Sequence, residues 1–143
     1  MAQRTVTVFS RFDVPPDRLW AAVVDHEGMS DWLGARVRVL AGRGDGGLGT
    51  VRRVELGPLL RLDEEVVGFV PPHSMTYRVI RGLPFLRYHL GEIRVRPDPT
   101  SPGGSELWWE VTLATPVPQV TNAMAAALQR TLNAGVGRLR DRL

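Results

Sequence analysis

His89 and Arg87 stand two residues apart in Leu86 to Arg96, a run that reads as a β-strand. Side chains alternate across a strand, so Arg87, His89, Gly91, Ile93 and Val95 share one face, and the apolar members mark it as the inner one. A histidine there can exchange a proton near neutral pH, and an arginine beside it can position a ligand carbonyl. The other arrangement compatible with the pattern is a strand end open to solvent, with both as rim residues. A second group comprises the doublets Arg52-Arg53 and Glu64-Glu65, on strands joined by the turn Leu56-Gly57-Pro58-Leu59. One member of each doublet faces inward, and Arg52 with Glu64 is the expected couple. Inward, they form a polar anchor for a hydroxyl, carbonyl or carboxylate. On the outer face the doublets would form a cross-strand salt bridge of little worth. Glu64 and His89 are therefore the candidate catalytic groups.

The other candidates are mostly apolar or aromatic. Met75, Tyr77 and Val79 face inward on one strand, and Leu107, Trp109, Val111 and Leu113 on another. Trp32 from a turn near the N-terminus and Met124 and Leu128 from the C-terminal helix complete the lining. Apolar area for affinity with a few polar groups for orientation (Arg52, Tyr77, Arg87, His89) is what a small-molecule pocket requires. A solid core built from the same residues satisfies the pattern as well.

Several chemistries are excluded or unsupported. The chain has no cysteine, so disulfides, thiolate nucleophiles and Cys-ligated metals are absent. His26 and His73 sit in loops with no metal-ligand spacing to each other or to His89, so no metal is expected. The glycine cluster Gly42 to Gly47 lies between strands, where it is a turn and not a phosphate loop. No triad motif accompanies the serines, and no cofactor is expected.

The elements that must position these residues follow from changes of period. Thr5 to Asp13 reads as a strand that Val14-Pro15-Pro16-Asp17 stops. Leu19, Trp20, Val23 and Val24 recur at helical spacing, and Met29 to Leu33 adds one more turn. Strands follow over Arg36–Ala41, Gly49–Glu55, Leu60–Phe69, Met75–Arg81, Leu86–Arg96 and Ser105–Thr115, mostly joined by short turns, which argues an antiparallel meander. Beyond Pro118, Val120, Met124, Leu128, Leu132, Val136, Leu139 and Leu143 form one apolar stripe. A helix of about 25 residues reaches ~37 Å, long enough to cross the sheet. Ala123, Ala127 and Gly135 lie near the stripe, where small side chains let the helix approach the sheet or leave volume for a ligand. The expected architecture is α+β: a helix-grip fold with a seven-stranded curved antiparallel sheet wrapped around a long C-terminal helix. Two short helices follow the first strand. Residues 1–143 form a single domain.

The isoelectric point is about 10.5, yet the net charge is only +3 and all 18 basic residues are arginine. They are spread along the chain without an aromatic-basic stripe, so nucleic acid is not an expected partner. No run approaches the ~20 apolar residues needed to span a bilayer, so stable membrane insertion is not expected either. The first residues turn strand-like at once, without the apolar core of a signal peptide, which points to the cytoplasm.

Phe12-Asp13-Val14-Pro15-Pro16-Asp17-Arg18-Leu19-Trp20, followed by Asp25 and Trp32, carry a family resemblance. So do Gly49-Thr50-Val51-Arg52, Glu64-Glu65-Val66 and Pro71-Pro72 with Met75-Thr76-Tyr77. The chain resembles the polyketide cyclase/dehydrase family of the START-like, helix-grip superfamily over essentially its whole length. The resemblance implies that a small hydrophobic molecule, polyketide- or lipid-like, is held in an internal cavity. A cyclase or dehydratase acting there is the enzymatic version of that reading. The rival is a protein-interaction or scaffold domain with a filled cavity, homodimeric through the outward-facing Trp108.

Overall fold

Val6, Val8, Ser10 and Phe12 are buried and alternate with exposed residues along strand β1 (Ala2–Phe12), the pattern of a sheet with one face on a core. The computed structural model describes residues 2–143. Proline at the first turn of α1 (Pro16–Val24) suits a position where no backbone donor is needed, and the helix buries Leu19, Trp20 and Val23. A 3-10 turn (Glu27–Asp31) follows and buries Met29, so the second of the two expected short helices is a single tight turn.

Six strands then run without interruption by helix: β2 (Arg36–Ala41), β3 (Val51–Leu56), β4 (Leu60–Val70), β5 (Ser74–Arg81), β6 (Tyr88–Pro97) and β7 (Ser105–Thr115). They form one antiparallel sheet in the order β1-β7-β6-β5-β4-β3-β2, with β1 paired to β7 from Ala2↔Thr115 to Phe12↔Ser105. The meander expected from the short turns is present, and β1 closes it at the far edge.

The C-terminal helix α2 (Pro118–Arg142) lies chiefly over β1 and β7. Its apolar stripe is not buried evenly. Leu132, Val136 and Leu139 are buried, whereas Met124 and Leu128 are half-buried and Val120 is exposed. Gly135 explains the tight half: a side chain there would press on Leu33, so glycine permits close approach to the Trp32–Leu33 segment. Arg138 fastens the same end by donating from Nε to the Trp32 carbonyl at 2.8 Å. Ala123 and Ala127 face solvent and line nothing. The helix is thus seated by its second half and stands looser over its first.

Candidate functional site

Strand register brings the polar candidates into one transverse row on the inner face. Arg52 of β3 pairs with Glu64 of β4, Glu64 pairs with Val79 of β5, and His89 of β6 pairs with Leu113 of β7. Paired residues share a face, so Arg52, Glu64 and Val79 line up across the sheet, with His89 opposite. The neighbouring inner positions are apolar or aromatic: Leu62, Val66, Met75, Tyr77, Ile93, Trp109 and Val111 are all buried.

Arg52 is the centre of this row, and only 1% of its surface is exposed. A guanidinium so deep requires a partner for its charge. Its Nε donates to Glu64 Oε1 at 2.9 Å, and Nη1 donates to His26 Nδ1 at 3.0 Å and lies 3.2 Å from Met29 Sδ. The guanidinium carbon lies 4.6 Å from the Tyr77 ring centre, a cation–π contact in a desolvated setting. Tyr77 in turn accepts a hydrogen bond on its hydroxyl from Trp109 Nε1 at 2.8 Å, and Trp109 meets Trp32 edge-on at 6.2 Å. Burial raises the Tyr77 pKa well above its ordinary value, so the phenol stays protonated.

His26 is a member that sequence reasoning placed in a loop without a role. It is 3% exposed, with Nε2 2.8 Å from the Gly46 carbonyl. A carbonyl only accepts, so Nε2 carries the proton and Nδ1 is left to accept from Arg52. Burial, then the Arg52 charge, lowers its pKa, and the ring is neutral. The detectable signal was Asp25-His26-Glu27-Gly28, a helix stop next to Met29. No spacing rule links that stop to a strand 26 residues on.

His89 is half-buried, and its Nδ1 accepts from the Val79 N–H at 3.1 Å. The neutral ring therefore carries its proton on Nε2. Burial lowers its pKa; Glu64 opposes this and Arg52 adds to it. The strands separate at this bond. The β5–β6 pairing runs from Ser74↔Arg94 only to Tyr77↔Gly91, although β5 continues along β4 to Arg81 and β6 along β7 from Tyr88. A bulge drives the divergence: Asp63 faces Arg81 and Glu64 faces Val79, leaving Ile80 extra, and bulged strands bend. The resulting groove has a volume of about 810 Å³ and is lined by Val79, Ile80, Leu83, Leu86, Arg87 and His89, among others. Arg78 and Val79 both line it and pair with Glu65 and Glu64 on opposite faces of the sheet, so the groove passes between the strands.

The first turn of α2 is fastened to the end of β7. Thr121 Oγ1 accepts from the Thr115 N–H at 3.0 Å and lies 2.8 Å from Thr115 Oγ1, at the end of β7 beside Tyr88↔Ala114. Met124 and Leu128, one and two turns further on, are half-buried against the edge of the core. Trp32, Met75, Trp109 and Val111 lie deeper, fully packed. Arg87 does not join the inner row: it precedes β6, is exposed, and donates from Nη1 to the Pro84 carbonyl at 3.3 Å. The expected strand begins two residues later than the alternation implied, which leaves Arg87 on the loop. Among the described residues no group of acidic, histidine or cysteine side chains is arranged to hold a metal. Among the same residues no helix is long and apolar enough to cross a membrane.

Residues 3–143 match the family described as polyketide cyclase/dehydrase and lipid transport. The chain belongs to that family. Solved structures similar to this member include an uncharacterized protein of Bacillus thuringiensis, 18% identical over 97% of this chain and 98% of that one, TM-score 0.73. A protein of Thermobifida fusca solved by NMR is 16% identical over 96% and 91%, TM-score 0.79. Ara h 8.0201 is 22% identical over 91% and 95%, TM-score 0.62. At these identities the likeness establishes the fold alone. Among curated proteins none matches the chain in sequence. The family's description suggests the binding of hydrophobic ligands.

Proposed function

We propose that this family member binds a small, oxygen-bearing hydrophobic molecule, polyketide- or lipid-like, between the sheet and the loose first half of α2. The observation that carries this reading is the row His89–Glu64–Arg52, oriented on an otherwise apolar face and reached by the groove at the β5–β6 split. Arg52 and Glu64 neutralise one another at 2.9 Å, so the row suits an uncharged hydroxyl or ketone. Burying ~300 Å² of apolar ligand surface contributes a gross ~7 kcal/mol before association costs, enough for micromolar binding.

The same row supports an enzymatic version of this reading. His89 carries its Nε2 proton in a fixed tautomer, suited to donate to a ligand carbonyl, and Glu64 is the neighbouring carboxylate. Shaping an extended substrate against the aromatic wall would supply most of the rate advantage in a cyclisation or dehydration.

Native mass spectrometry of the purified protein, before and after organic extraction, tests the binding claim. A co-purifying, extractable apolar molecule supports it. An empty protein that also ignores aromatic polyketides and fatty acids would sink it. In that event the outward pair Trp108 and Phe9, 5.8 Å apart, becomes the leading feature as a homodimer contact, to be checked by sedimentation.

A further inference from the structure

We infer that the ligand carries an anionic group at one end, and that it lies tail-inward with that group on Arg87 at the mouth of the β5–β6 split. The inference rests on the ligand-binding reading above and adds the ligand's charge and orientation.

Three arginines line the groove: Arg78, Arg81 and Arg87. Arg81 is held by Asp63 at 2.9 Å and Arg78 is 3.8 Å from Glu65. Among the described residues Arg87 has no carboxylate partner, and its Nη1 makes only a 3.3 Å bond to a loop carbonyl. Deeper in, the charges cancel: Arg52 is satisfied by Glu64, and burial keeps His26 and His89 neutral. A carboxylate pushed to that depth would meet Glu64 and lose its hydration with no free cation in return. The half-buried apolar side chains Val79, Leu83 and Leu86 lie between the two zones. A molecule with one apolar body and one anionic end therefore matches the groove in a single orientation. Charge-assisted bonds from a guanidinium to such an anion are the strong kind.

Calorimetric titration with decanoate and with decanol separates the terms. The wild-type protein should bind decanoate roughly tenfold more tightly than decanol, the difference a charged hydrogen bond makes. Arg87→Gln should abolish that difference, whereas Arg130→Gln on the exposed side of α2 should leave both affinities as they are. Equal affinity for the two molecules, or a preference for decanoate that survives Arg87→Gln, would overturn the anionic-end inference alone. Failure of both molecules to bind would overturn the inference, and the reading on which it rests falls with it only if the protein also carries no extractable molecule and ignores aromatic polyketides.

Discussion

The Nδ1 of His89 takes the place of a strand: it accepts the Val79 N–H at 3.1 Å where the β5–β6 ladder has stopped. A side chain thereby closes a gap in a sheet and keeps one buried donor satisfied. This single bond sets the tautomer of His89 and marks the edge of the groove.

The Val79 amide should exchange with solvent much faster than that of Tyr77, which lies within the β5–β6 ladder. Replacing His89 with Ala should accelerate Val79 further and spare Tyr77. Amide exchange followed by NMR reads both sites. Equal protection at the two amides in the Ala variant would mean that the strands pair fully in solution.

Stability should fall on acidification from pH 7.5 to 5. His26 and His89 both have folded-state pKa values below the ordinary 6.5. Below about pH 6.5 the unfolded chain takes up protons that the native state resists, so the unfolding free energy decreases as pH drops. Urea midpoints across this range provide the check, and His26→Gln should flatten the dependence.

Replacing Arg52 with Met leaves the Glu64 carboxylate buried and unpaired, at a cost of about 3–5 kcal/mol. Adding Glu64→Leu to that variant should recover much of the loss, because both charges are then gone. Chemical denaturation of the two single variants and the double variant measures the coupling. Additive effects would show that the pair is not a unit.

A methyl group on Gly91 would fall onto the Tyr77 ring. Gly91→Ala should therefore cost ~1–3 kcal/mol through overpacking and shift Tyr77 away from Trp109. A change in tryptophan emission accompanying the lower midpoint would report the lost hydrogen bond. Unchanged stability would mean that the ring has room to move.

His89→Ala should reduce any cyclisation or dehydration activity about a hundredfold or more, the low end for a lost general acid. Ligand affinity should change much less. Turnover measured beside a binding titration distinguishes the two, and an unaltered rate would remove His89 from the chemistry.

The order of elements, the inner faces of β5 and β7 and the length of α2 were all legible in the sequence. They depend on periods of two and 3.6 residues and on where proline and glycine interrupt them, which are local properties of the chain. Alternation allowed Arg52 and Glu64 to face inward but did not decide between that and an exposed salt bridge; the burial of both side chains on β3 and β4 did. What the tertiary structure decided is non-local. His26 reaches Arg52 only because α1 is folded back over the sheet, 26 residues away in sequence. The split beside His89 arises from a bulge at Ile80 and an early end to pairing, neither of which alters the hydrophobic pattern. Arg87 followed the alternation on paper yet lies on the loop, since alternation cannot tell where a strand begins. Uneven seating of α2 likewise depends on Gly135 meeting Leu33. Periodicity specifies which face a residue takes; only packing specifies which faces meet, and where they fail to meet and leave room.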